Sequence, residues 1–110
     1  MNKELLIKAG LNKDEATVVS YMLSTNKTTF SRDLEHDLRL RQPVVSIVMN
    51  KLEDIGWVKY NKKRLEGKGR PEHEYSLNKS KNAIVRELIK KLNEEKKEIE
   101  STVNQLQKSM

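Results

Sequence analysis

The run RQPVVSIVMNKLEDIGWV, residues 41–58, decides how the chain folds. Pro43 stands where a first helical residue belongs, because its missing N–H costs nothing there. Val45, Val48 or Met49, Leu52 and Ile55 then recur at helical spacing and form one apolar stripe. Gly56 ends the run, as a residue able to take a left-handed backbone should. The spacing predicts a helix from about Pro43 to Ile55, followed by the strand-like WVKYN at 57–61.

Working upstream, KELLIKA at 3–9 reads as a short helix stopped at Gly10. Leu11-Asn12-x-x-Glu15-Ala16 has a capping residue with a carboxylate three positions later, and Leu11 and Ala16 suit the flanking hydrophobic staple. Ala16, Val19 and Leu23, with Val18 and Met22 beside them, extend this start into an amphipathic helix of roughly three turns. STNKTT at 24–29 breaks it. A second helix is expected from Ser31 to Leu38, capped by Ser31 or Thr29, with Leu34 and Leu38 facing inward. RLRQ at 39–42 makes a tight connection to the helix at 43.

Downstream, WVKYN and HEYSL (73–77) are aromatic and β-branched enough to pair. The eleven residues between them, 62–72, hold two glycines and a proline and predict a long, mobile hairpin tip. This tip is basic. Residues 59–70 contain Lys59, Lys62, Lys63, Arg64, Lys68 and Arg70 against Glu66 alone, so they carry most of the net charge of +6. The first 38 residues are close to neutral. A focused basic segment points to a polyanion, most often nucleic acid.

Lys79-Ser80 opens a last helix that can run to residue 110. A heptad count places Val85, Ile89, Leu92, Lys96, Ile99, Val103, Leu106 and Met110 at a and d. Only Lys96 is polar, and it resembles an a-position residue that trades stability for register. About 28 helical residues span roughly 42 Å, too long to bury such a stripe on a domain of some 80 residues. A second copy of the same helix is the expected cover. The chain therefore divides into 1–78 and a coiled-coil-like dimerisation helix at 79–110.

The order helix, helix, tight turn, helix, strand, basic loop, strand, long helix is mainly α with a small β-hairpin. It matches a winged helix-turn-helix with a long C-terminal dimerisation helix. In that arrangement the helix beginning at Pro43 enters the major groove of double-stranded DNA. Its outward positions are Gln42, Val44, Ser46, Ile47, Asn50 and Lys51. Gln42 and Asn50 can read adenine, and Ser46 can bond a base or a phosphate. Val44 and Ile47 can meet thymine methyls. Arg39, Arg41 and Lys51 can hold phosphates. On the wing, Lys62, Lys63, Arg64, Lys68 and Arg70 would reach the adjacent backbone or minor groove. Burial of Val44 and Ile47 against a protein partner is the alternative.

The 41–58 run, followed by GKGRPEHEYSL at 67–77, resembles small archaeal winged-helix transcriptional regulators related to the MarR, ArsR and PadR groups. The opening KAGLNKDEATVVSYML is similar to the first helix of TrmB-type regulators. The likeness covers roughly residues 5–78. It implies that Gln42, Val44, Ser46, Ile47 and Asn50 read the groove and that Arg70 and its lysine neighbours work the wing. The metal-sensing cysteine and histidine clusters of ArsR proteins have no counterpart here, nor does the sugar-binding domain of TrmB proteins. Little sequence is left for a small-molecule effector pocket.

Other chemistry is thin. There are no cysteines, which excludes disulfides and thiolate metal sites and fits a cytoplasmic, nucleoid-associated protein. His36 and His73 lack companions at metal-ligand spacing, so both read as surface histidines and no metal or cofactor is expected. EGKGR is not a nucleotide P-loop. Trp57, Tyr60, Tyr75 and Phe30 read as core at the helix–hairpin junction. No nucleophile–base constellation appears, and no enzyme is expected. No segment is long and apolar enough to span a membrane, and no signal peptide is evident. The expectation is a homodimeric, sequence-specific regulator. An architectural chromatin protein and a protein-binding adaptor of the transcription machinery are its rivals.

Overall fold

The computed structural model describes residues 1–26, 28–64 and 71–110, those at 62–64, 71 and 72 through their backbone. Two compact units emerge, Met1–Ser80 and Lys81–Met110. In the first, α1 (Lys3–Lys8) and α2 (Lys13–Thr25) precede the short strand β1 (Thr29–Phe30). Then follow α3 (Ser31–Asp37), α4 (Gln42–Asp54), β2 (Val58–Arg64) and β3 (Pro71–Leu77). The second unit is the single helix α5 (Lys81–Lys108).

Local chemistry accounts for most boundaries. The expected capping box forms at α2: Asn12 Oδ1 accepts from the Glu15 N–H at 2.8 Å, and Glu15 Oε1 accepts from the Asn12 N–H at 2.9 Å. α4 ends as expected at Gly56, whose φ of +81° is left-handed. There the Trp57 N–H reaches the Leu52 carbonyl and the Gly56 N–H reaches that of Glu53, both at 2.9 Å, closing a Schellman motif. The cap expected at α3 differs: Phe30 holds the N-cap position, with no side-chain hydrogen bond. Neither Ser31 nor Thr29 serves, because residues 29 and 30 are drawn into a strand.

The sheet is three-stranded and antiparallel, in the order β1-β3-β2. β1 was not expected; it pairs Thr29 with Tyr75 and Phe30 with Glu74. β2 and β3 run further than expected, pairing Lys62 with His73, Lys63 with Glu72 and Arg64 with Pro71. The undescribed segment 65–70 is thus shorter than the eleven-residue tip anticipated. Strand pairing satisfies backbone groups whatever the charge of the side chains, so a basic, polar run can still be a strand.

The core joins the inward faces of α2 and α4 to the sheet. Leu6, Ala16, Val18, Met22, Leu34, Val45, Met49, Leu52, Trp57, Val58 and Tyr75 are all buried. Trp57 and Tyr75 are core as expected, whereas Phe30 and Tyr60 are only half-buried. Ile55, assigned to the inward stripe, is 44% exposed. It is the C-cap of α4, its N–H still bonded to the Lys51 carbonyl at 3.1 Å, one position beyond the last helical residue.

α5 carries two apolar faces. Ile84 and Leu88, one turn apart and off the heptad seam, are buried. Of the seam residues, Val85 is half-buried, while Ile89, Leu92, Ile99, Val103 and Leu106 are exposed.

Candidate nucleic-acid interface

α3, the turn at 38–41 and α4 form the helix-turn-helix pair. Arg39 makes the turn in a left-handed conformation, φ +53°. The Leu40 N–H donates to the Glu35 carbonyl at 3.1 Å, the longer bond of a Schellman closure. An arginine at this backbone position is strained relative to glycine, and its side chain is exposed at the start of the next helix. Arg41 follows as the N-cap of α4 and is also exposed. α4 has no acidic residue in its first turn, so the positive end of its dipole is left unscreened from within the helix.

The outward face of α4 largely matches the sequence expectation. Gln42, Ile47, Asn50 and Lys51 are exposed, while Val44 and Ser46 are half-buried at the edges. Ile47 is 70% exposed in the middle of the helix. Gln42, Ser46 and Asn50 repeat every four residues and share one line along the helix. Gln42 and Asn50 bring amide groups to its two ends, and Ile47 an apolar group between them.

Lys51 is engaged differently from the expectation. Its Nζ pairs at 2.5 Å with Oε2 of Glu15, whose side chain is only 5% exposed. The same carboxylate closes the capping box of α2 through its other oxygen. One buried acid therefore both caps α2 and ties it to α4. Sequence reasoning took Glu15 for a cap and Lys51 for a phosphate contact, and no local signal joins positions so far apart in the chain. Among the outward residues named for α4, the charge of Lys51 is thus matched from inside the protein.

On the wing, Lys62, Lys63 and Arg64 belong to β2, while Lys68 and Arg70 lie outside the described residues. Tyr60 stands opposite Tyr75, with ring centroids 5.3 Å apart, and 5.3 Å from the ring of exposed His73. These three rings stiffen one face of the hairpin. Burial pushes the Tyr75 phenol above its ordinary pKa, with the Tyr60 and Glu53 charges adding to the effect.

A second polar cluster braces α2 against α3. The Tyr21 hydroxyl donates to Asp37 Oδ2 at 2.8 Å, and His36 Nδ1 lies 3.0 Å from Asp37 Oδ1. These contacts, that of His36 first, hold the Asp37 carboxyl below its ordinary pKa. His36 is on the surface, its side chain 91% exposed. Among the described residues no group of three acidic, histidine or cysteine side chains could hold a metal, and no helix is long and apolar enough to cross a membrane.

Comparison with known proteins supplies the family. No curated protein sequence matches the chain. A solved structure described as a possible transcriptional regulator from Methanosarcina mazei Go1 superposes with a TM-score of 0.76 at 20% identity, covering 96% of this chain and 88% of the other. The crystal structure of Pex from Synechococcus sp. strain PCC 7942 superposes with a TM-score of 0.50 at 22% identity, covering 80% of this chain and 91% of the other. At these identities the two likenesses concern the fold alone. The family model described as TFIIE alpha subunit matches residues 3–109, and the chain, a winged-helix protein connected with transcription, belongs to that family.

Proposed function

We propose that the chain is a homodimeric, sequence-specific regulator of transcription that binds double-stranded DNA. α4 enters the major groove, with Gln42 and Asn50 bonding base edges and Ile47 meeting a thymine methyl. Ser46 and Val44 flank them. Arg39 and Arg41 hold phosphates beside the helix, and Lys62, Lys63, Arg64, Lys68 and Arg70 do so along the wing. The seam from Val85 through Ile89, Leu92, Lys96, Ile99 and Val103 to Leu106 joins two copies. The protein acts as a binder, not a catalyst, without a cofactor or small-molecule effector, in the cytoplasm of an archaeal cell at its nucleoid. Kinship with the MarR, ArsR and PadR groups rests on the motifs at 41–58 and 67–77.

The observation that carries this reading is the 70% exposure of Ile47 between two exposed amide side chains on α4. An aliphatic side chain held in water at the centre of a helix-turn-helix gains from an apolar partner, and thymine methyls provide one in the groove. Selection from a random duplex pool should return a pseudo-palindrome with half-sites about one helical turn, ~34 Å, or a multiple apart. Binding should weaken steeply with salt. Absence of duplex binding at low salt sinks the reading. The family match favours one rival, a winged-helix adaptor within the transcription machinery. In that case Ile47 would bury against protein, and a pull-down of transcription components would survive nuclease treatment.

A further inference from the structure

The seam of α5 leaves its direction of pairing open until the flanking charges are counted. In a two-stranded coil the e and g residues line the seam and decide which alignments are tolerated. A parallel dimer in register sets each g residue against the e residue five positions later in the partner. That places Lys81 against Arg86 and Glu95 against Glu100, each twice by symmetry. The remaining e and g positions of the helix supply no opposite-charge pair to offset them. The two Lys96 ammoniums would also face each other across the axis.

An antiparallel dimer pairs e with e and g with g. In the alignment that sets Lys96 against the partner's Ile99, Arg86 meets Gln107 and Asn93 meets Glu100. Glu95 then meets Thr102, and no like-charge pair remains. Leu92 packs on Val103, and Ile89 on Leu106, so residues 40 to 65% exposed in the single chain gain an apolar partner. Lys96 lays its methylenes on Ile99 and turns its ammonium toward Glu100. Sliding the helices by one heptad in one direction brings Glu95 onto Glu95, offset by Arg86 meeting Glu100 on both sides; in the other it brings Glu100 onto Glu100 and leaves Ile89 without a partner. Charge therefore selects the direction, and the apolar matching of the seam selects the register: the first slide sets Asn82 against Leu106 and leaves Met110 without a partner, whereas the stated alignment packs Val85 on Met110.

We propose that the occupant of the exposed α5 seam is a second copy of α5 running antiparallel, with Lys96 of each helix opposite Ile99 of the other. The proposal rests on the dimeric reading above. Because the chain has no cysteine, Asn82→Cys and Lys97→Cys each accept one spin label at an exposed position. In the full-length dimer, the antiparallel alignment separates the two labels at position 82 by roughly 45 Å, from the ~1.5 Å rise per residue. Those at position 97, beside the two-fold axis, lie within about 25 Å, given the ~10 Å spacing of packed helices. Pulsed dipolar spectroscopy should return one long and one short distance. Two short distances from a protein that sediments as a dimer overturn the antiparallel orientation and leave the dimer standing. A monomer by sedimentation overturns both.

Discussion

Replacing Lys51 with methionine tests whether this residue serves the fold or the ligand. Lys51→Met keeps the aliphatic stem and removes the ammonium from Glu15. That carboxylate is 5% exposed, and the lysine is 57% exposed. Fully exposed pairs contribute about 0.2–1 kcal/mol, whereas breaking a fully buried one costs about 3–5 kcal/mol. With one partner buried and the other half in water, the expected loss is about 1–2 kcal/mol. For a folding unit of some 80 residues this lowers the melting temperature by roughly 5–15 °C. Glu15→Gln keeps an oxygen for the Asn12 N–H while removing the charge, so adding it to Lys51→Met should recover part of the loss. The two substitutions should couple by about 1 kcal/mol in a double-mutant cycle. Thermal and urea melts of the four proteins measure this directly. A Lys51→Met protein as stable as the parent but weaker on DNA would refute the reasoning and return Lys51 to the phosphates.

Three further substitutions probe the turns and the α2–α3 brace. Gly56→Ala should destabilise by about 1–2 kcal/mol in a denaturant melt, because φ is +81°, while the added Cβ would meet only the Lys79 side chain, at 3.8 Å. A loss below a few tenths would mean that the turn relaxes. Arg39→Gly relieves a left-handed arginine and should leave stability unchanged or raise it by up to about 1 kcal/mol, while weakening DNA binding; a clear loss of stability would show the side chain holding the turn. Tyr21→Phe removes one of the bonds that lower the Asp37 pKa. A depressed carboxyl stabilises the fold above its unfolded pKa, and that contribution fades below about pH 4, as pH falls through the folded value. The variant should raise the Asp37 midpoint in a carboxyl-carbon NMR titration, and an unmoved midpoint counts against the brace.

Features set by neighbours in sequence were readable before the fold was known. Asn12 and Glu15 announce their own cap, and Pro43, which falls at the second helical position and not the first, and Gly56 mark the two ends of α4 because backbone chemistry at each end is local. Strand β1 is different. Thr29 and Phe30 are a strand only because Tyr75 and Glu74 lie beside them, and no pattern of two residues can say so. The same holds for Lys62, Lys63 and Arg64, whose polar lettering suggests a loop until the returning chain supplies their hydrogen bonds. Within the candidate interface, the outward set on α4 followed from helical period. What period cannot show is the three-dimensional neighbour, and Glu15 under Lys51 is such a neighbour. Ile84 and Leu88 are a further case: a heptad frame picks one seam and passes over a second, shorter one.

Once Lys51 is matched by Glu15, the rest of the outward face of α4 (Gln42, Val44, Ser46, Ile47 and Asn50) carries no formal charge. On the DNA-binding reading, grip and choice then reside in different parts of the molecule. Arginines and lysines of the turn and wing set the salt-sensitive affinity, and neutral side chains on one helix set the preferred bases. Exchange of one neutral residue for another on that face would redirect the protein to new sites without altering its hold on DNA at large. Duplicated copies of such a gene could diverge in target one substitution at a time while each intermediate remained a competent binder.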